Sequence, residues 1–204
     1  MNTSNSSSAS WYRDRWFGTE AQFIQLYPLP VQQLNEVHWT PLIVAYKALQ
    51  FLKTKPGDKI LDIGSGIGKF CLAGAYYKPK ALFYGIEQRK SLTDYARSAK
   101  EMLGFTNVEF LQGDFTQVDF REFNHFYFFN SFGENLTDLY RIDESIDYSA
   151  ELYFYYSTYL RHKLDKLPSG TRFVSYCSSD DEVPESYRLV KTLYEGNLKF
   201  WEKL

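Results

Sequence analysis

Residues 62 to 68 read Asp62-Ile63-Gly64-Ser65-Gly66-Ile67-Gly68, a carboxylate followed by three alternating glycines. Glycines at this spacing let a ligand approach the backbone closely, and the free N–H groups of a following helix can receive its polar end. A dinucleotide fingerprint would need Gly or Ala at position 69, but the residue is Lys69, and the third glycine comes one place early at Gly68. A phosphate loop also fails, because Gly64 and Gly68 stand too close together and no lysine-serine or lysine-threonine pair follows. Two more carboxylates sit at related places. Glu87 closes Tyr84-Gly85-Ile86-Glu87, where it can accept hydrogen bonds from both hydroxyls of a ribose. Asp114 precedes Phe115, whose ring can cover a flat base. The three together suit an adenosine-bearing ligand.

Each of these groups needs a strand that ends where it stands. The apolar and turn pattern predicts strands over 59–63, 82–87, 108–111 and 125–129, with helices over 69–77 and 92–103 between the first three. The strand at 125–129 is apolar throughout, which places it centrally, and it ends at Asn130-Ser131. Upstream, Thr40 reads as an N-cap and Pro41 as the first residue of a helix running to about Lys53. Downstream, residues 146–167 have helical period, with Leu152, Tyr156, Tyr159 and Leu160 on one face. A fifth strand is expected over 171–177. Residues 187–193 and 198–204 read as a hairpin around Tyr194-Glu195-Gly196-Asn197. The expected fold is α/β: a seven-stranded Rossmann-like sheet, parallel with a C-terminal antiparallel hairpin and helices on both faces. Such sheets bind ligands beyond the carboxyl ends of their strands.

Residues 1–10 are polar and read as a disordered tail. Residues 11–40 form an aromatic extension whose Trp11 and Trp16 are expected to lie as a lid over the site, and 41–204 form the main domain. The chain has 17 Tyr, 17 Phe and 4 Trp, and Tyr127, Phe129 and Phe132 are candidate pocket walls. A net charge of −2 gives no electrostatic grip on nucleic acid or an anionic membrane. No apolar run approaches the ~20 residues of a membrane span, so the expected location is cytoplasmic. Cys71 and Cys177 lack metal-ligand spacing and read as reduced core thiols. His38, His125 and His162 have no ligand company, so no metal is expected. The run Ser178-Ser179-Asp180-Asp181-Glu182 reads as a solvated loop.

The glycine loop, Glu87 and Asp114-Phe115 resemble the cofactor motifs of class I methyltransferases that use S-adenosylmethionine (SAM). With Thr40 before Leu42-Ile43-Val44-Ala45 and Asn130 before Phe132, the stretch from Thr40 to about Phe132 is most similar to the non-SET histone-lysine methyltransferases of the disruptor-of-telomeric-silencing type. The chain is also similar to small bacterial methyltransferases of unassigned acceptor. A lysine-rich flank for a nucleosome is missing. The resemblance implies SAM as cofactor, held by Thr40, Asp62, Gly64, Ser65, Gly66, Gly68, Glu87, Asp114, Phe115 and Asn130, with Asn130 at the mouth where a small-molecule or protein acceptor, such as a lysine amine, would meet the methyl group. A SAM-binding module without catalysis, acting as sensor or partner subunit, is the alternative it leaves open.

Overall fold

A computed structural model describes residues 13–138 and 141–204. The tail at 1–10 and Trp11 lie outside the described residues. The strands are β1 Lys59–Ile63, β2 Leu82–Glu87, β3 Val108–Gln112, β4 His125–Phe129, β5 Arg172–Tyr176, β6 Tyr187–Leu193 and β7 Leu198–Lys203, ordered β3-β2-β1-β4-β5-β7-β6. The pairs among β1 to β5 are parallel, and β7 runs antiparallel to both β5 and β6. The helices are α1 Glu20–Ile24, α2 Leu29–Gln32, α3 Asn35–His38, α4 Leu42–Leu52, α5 Lys69–Tyr77, α6 Lys90–Leu103 and α7 Ala150–Asp165. This is the seven-stranded plan expected.

The central strands are buried on both faces because they send alternate apolar side chains up and down, while edge strand β6 is largely exposed. Ile60, Phe83 and Tyr127 join one core with α4, α5 and α6. Leu61, Phe126, Phe128 and Phe173 join the other with Leu160 and Leu164 of α7. Tyr127 stacks on Phe70 of α5 with ring centroids 3.9 Å apart, fixing β4 against the helix that follows the glycine loop. Helix α7 begins later than its periodicity suggested: Ser149 caps it by accepting from the Leu152 amide at 3.1 Å. α6 closes at Gly104 in the left-handed region.

The start of α4 differs from expectation. Pro41 is its N-cap and makes no side-chain cap. Thr40 is buried and shares a hydrogen bond of 3.0 Å with the Tyr127 hydroxyl. The free N–H of Leu42 instead donates to Glu20, whose other oxygen binds the Lys69 ammonium at 2.5 Å. Lys69 opens α5 yet is almost fully buried, with its Nζ also 3.1 Å from Asn35 Oδ1 and over the rings of Phe23 and Trp39. A cation buried at a helix N-terminus opposes the helix dipole, so it needs this carboxylate.

The aromatic segment does not lie over the carboxyl ends of the strands. Phe17 stacks on Tyr76 at the far end of α5, with centroids 4.3 Å apart, and packs on Phe105 before β3. Arg13 donates to the carbonyls of Leu103 and Gly104. Trp16 packs on the same core. These contacts are at the opposite edge of the sheet, so the lid expected of Trp16 is replaced by edge packing.

The Glu20–Lys69 pair gives a stability prediction. Glu20→Ala strands a buried ammonium and uncaps α4, and should lower the unfolding free energy by about 2–4 kcal/mol in urea titration. Adding Lys69→Met should restore part of the loss, and a double variant no better than the single one would count against the coupling.

Candidate functional site

The crevice opens where strand order reverses, between β1 and β4. β1 ends in a turn whose amides, Gly64 N and Ser65 N, both donate to the Ile86 carbonyl, at 2.9 and 3.0 Å. Gly64 has φ +73°, and a Cβ there would strike the Ser131 hydroxyl, which itself donates to the Ile63 carbonyl at 2.7 Å. The ends of β1 and β4 are thereby locked edge to edge. Gly68, at φ +83°, gives room to the Phe110 ring and to Ala96 of α6. Its glycine serves packing of helix on sheet.

A cavity of about 510 Å³ lies over these ends. Of the ten residues expected to hold the cofactor, Gly64, Gly66, Glu87, Phe115 and Asn130 line it; of the expected pocket walls Phe129 and Phe132 do, while Tyr127 is buried in the core. Thr40, Asp62, Ser65, Gly68 and Asp114 stand behind its wall. Ser65 does not cap α5, whose N-cap is Gly68; its side chain lies over Gly85 instead. Asp62 is buried, with the Cys71 thiol donating to it at 3.7 Å. Burial pushes its carboxyl up to about 8, against the Cys71 hydrogen bond and with help from the Glu87 charge. Asp114 caps the turn at Phe115–Gln117 through Thr116 N at 2.8 Å, and its other oxygen accepts from the Tyr156 hydroxyl at 3.0 Å. Phe115 meets Tyr156 edge-on, centroids 5.5 Å apart, and both rings face the cavity.

Glu87 is not a solvated charge. Only 6% exposed, it accepts from the amides of Gly66 at 3.0 Å and Arg89 at 2.9 Å, while the Arg89 guanidinium lies 3.7 Å away. Burial raises its pKa, and the Arg89 and Gly66 groups pull it back down. Asn130 takes φ +38°, a conformation asparagine tolerates, and folds its amide over Gly133. Beside it stand Phe129, Tyr176 and Cys177. Cys177, expected in a strand core, falls one residue past β5, in the left-handed region, exposed.

The opposite wall comes from α3 and its neighbours: Leu34, Val37, His38 and Trp39. Burial lowers the His38 pKa, so its imidazole is neutral near pH 7. The third wall is the segment after β4, including Phe132, Glu134 and Ile146. Arg89 and Glu134 were missed in the sequence. Arg89 stood in view two residues after Glu87, but its partners lie some 45 to 59 positions away and leave no local signal. Among the described residues no cluster of histidine, cysteine or carboxylate could hold a metal ion, and no helix is long and apolar enough to cross a membrane.

The loop after β5 also departs from expectation. Glu182 turns inward, 1% exposed, with neither oxygen hydrogen-bonded. Burial, then the charges of Asp181 and Asp180, push its carboxyl up to about 8.

A glycine turn at the end of β1, a buried carboxylate at the end of β2 and a crevice at the reversal of strand order define a Rossmann-like ligand-binding domain with the strand order of class I methyltransferases. The chain belongs to a family of methyltransferase domains, whose model matches residues 54–199. It is 36% identical over 89 residues to the protein-L-isoaspartate O-methyltransferase of Koribacter versatilis, a match covering 43% of this chain and 38% of that protein. It is 45% identical over 51 residues to a tRNA (guanine-N(7)-)-methyltransferase of Synechococcus sp., covering 25% of this chain and 22% of that one. The matches thus span less than half the length of these curated relatives. Among solved structures, the chain superposes on an RNA methyltransferase from Salinibacter ruber in complex with S-adenosyl-L-homocysteine, with a TM-score of 0.57, 21% identity, and 81% and 92% of the two chains covered. It also superposes on TrmN from Thermus thermophilus, with a TM-score of 0.61, 18% identity, and 85% and 52% covered. The fold is that of the SAM-dependent methyltransferases.

Glu182 and Asp62 make stability depend on pH. Folded, each holds a proton up to about pH 8 that the unfolded chain releases near its ordinary value, 4.5 for Glu182 and 3.8 for Asp62. Their contribution is therefore complete below about pH 4 and is lost progressively as pH rises through about 8. Glu182→Gln should melt with wild type at the acid end and above it by about pH 8. Parallel melting curves across that range would show that Glu182 does not titrate this way.

Proposed function

We propose that the cavity binds SAM and that the chain transfers its methyl group to an acceptor nitrogen. The observation that carries the cofactor reading is Glu87, a buried carboxylate lining the cavity directly beside Gly66, where a ribose diol can take its lone pairs in place of water. In this arrangement Phe115 and Tyr156 cover the adenine. The glycine turn at 64–66 accommodates the methionine portion, and the sulfonium points toward Asn130. Asp62, Thr40, Ser65, Gly68 and Asp114 support the seat from behind.

Charge argues for the acceptor. The cavity is lined by Glu36, Glu87, Glu134 and Asp147 against the single guanidinium of Arg89, with His38 neutral. Such a field attracts the SAM cation and an amine, and repels a carboxylate or a phosphate backbone. An amine must shed its proton before attack, and the aromatic walls at Trp39, Phe129 and Tyr176 favour its neutral form. Methyl transfer then needs in-line positioning and exclusion of water, since the sulfonium is a good leaving group. A lysine side chain, the acceptor implied by the resemblance to the non-SET lysine enzymes, fits this chemistry. The isoaspartyl carboxylate named for one curated relative is anionic, and the guanine N7 named for the other is borne on an anionic RNA backbone; those matches cover under half of this chain.

Calorimetric titration with SAM, S-adenosylhomocysteine and NAD tests binding: both adenosyl ligands should bind and NAD should not. Glu87→Ala should weaken SAM by more than about 1 kcal/mol, since two hydrogen bonds to a charged acceptor are lost. Incubation with methyl-labelled SAM and a cell lysate then tests transfer. Label should enter material that resists both alkali and ribonuclease, as an N-methyl group on protein or a small amine does. Volatile methanol after alkali would mark a carboxylate acceptor and refute the amine assignment, and absence of any transfer would leave a binding module.

A further inference from the structure

Among the described residues, Arg89 pairs with more carboxylates than any other cation. Its side chain is 4% exposed and reaches four groups: Glu87 at 3.7 Å, Glu134 at 2.6 Å, Asp143 at 3.1 Å and the Tyr148 hydroxyl at 2.6 Å. Glu134 in turn accepts from the Ile142 amide at 3.0 Å and from Tyr148. Every one of these partners except Glu87 belongs to the segment between β4 and α7, which supplies the cavity wall at Glu134, Asn135, Ile142 and Ile146. A guanidinium can form this fork because it presents five donors in a plane, whereas an ammonium is a point charge.

We infer that Arg89 is the positioning residue of the cofactor seat, holding the Glu87 carboxylate ionised for the ribose diol and fastening that seat to the wall between β4 and α7. The inference rests on the SAM-binding reading. The groups facing Glu87 show why the job is needed. From β1 comes Asp62, whose own carboxyl burial keeps protonated up to about pH 8, and from the segment after β4 comes Glu134, whose charge raises the Glu87 pKa. From the N-terminal side, His38 is neutral. Against these, only the amides of Gly66 and Arg89 and the guanidinium itself favour the ionised form. Without the guanidinium, burial and the Glu134 charge would push the Glu87 carboxyl further up, toward its protonated form. A protonated Glu87 loses a lone pair that the second ribose hydroxyl needs.

The two tasks separate by substitution. Arg89→Gln removes both the charge and the fork, while Arg89→Lys keeps a charge and gives up the bridge to Asp143 and Tyr148. S-Adenosylhomocysteine affinity is measured by calorimetry between about pH 6 and pH 8 on wild type, both variants and Glu87→Gln, each first checked for native circular dichroism. Wild type and Arg89→Lys should show nearly flat profiles. Arg89→Gln should weaken about tenfold from pH 8 to pH 6, the change expected when a carboxylate begins to titrate in that range. Glu87→Gln should be weak and flat. Trypsin should cut at Arg141 faster in both Arg89 variants than in wild type, reporting the released wall.

A flat Arg89→Gln profile, parallel to Glu87→Gln, would overturn the inference while leaving SAM binding intact. Wild type that binds no S-adenosylhomocysteine would overturn the binding reading and this inference with it. If Arg89→Gln fails the folding check, Arg89→Lys decides: a flat profile with faster cleavage at Arg141 supports the division of tasks, and a steep profile or unchanged cleavage overturns it.

Discussion

A buried ammonium at the start of α5 is the constraint around which the molecule is arranged. Lys69 follows the glycine turn directly, so its backbone is fixed by the need to bring Gly64 and Gly66 to the cavity. Its side chain is committed to the interior, where both burial and the helix dipole oppose its charge. Among the described residues Glu20 supplies the countercharge, reaching Lys69 from α1 in the N-terminal extension. The same carboxylate caps α4, and Asn35 joins Lys69 from α3, which carries the cavity wall at Val37 and His38. The N-terminal extension therefore belongs to the foundation of the site: Phe17 and Phe23 anchor it, while Trp39 faces the cavity.

Arg89 solves the mirror problem on the other side of the cavity. There the buried acid is Glu87, and its countercharge is recruited next door in sequence and then shared with a distant segment. The two buried cations thus clamp opposite walls: Lys69 holds the α3 side and Arg89 the segment after β4. Neither gains much as an isolated ion pair, since desolvation offsets most of the Coulomb attraction. What they supply is register, because each charge has only one arrangement in which all its hydrogen bonds are made. A cavity built from loops at the ends of strands needs such fixed points.

This division explains what the sequence could and could not reveal. The strands and the helices α4 to α6 follow from local periodicity and turn residues, and they stand within two residues of where the pattern puts them. Gly64, Gly66, Glu87, Phe115 and Asn130 were legible because strand ends in an open α/β sheet are where polar groups can face a ligand. Lys69 was read only as the residue that spoils a dinucleotide fingerprint, since nothing local says that it is buried or that Glu20 is its partner. Thr40 had the look of a cap, but Tyr127, 87 positions away, takes its hydroxyl and Glu20 takes the cap role. Glu182 sat in a run of serines and acids that normally faces water, and only the packing of the loop after β5 against α7 shows that it is enclosed. In each case the deciding partner is remote in the chain.

The acidic lining has a consequence for turnover that follows from charge alone. The proposed donor carries a sulfonium, and the product left after transfer is a neutral thioether. An attraction of even about 1 kcal/mol between the sulfonium and a carboxylate, the Coulomb energy of unit charges about 4 Å apart in a water-like medium, is present before transfer and absent after it. In the proposed seat the field of Glu36, Glu134 and Asp147 thus favours the donor over its own product, while a ribose contact at Glu87 would hold both alike. Binding energy placed on the ribose serves affinity, and binding energy placed on the sulfonium serves exchange. An acceptor amine becomes cationic as it is methylated, so the same field that draws it in would also slow its departure.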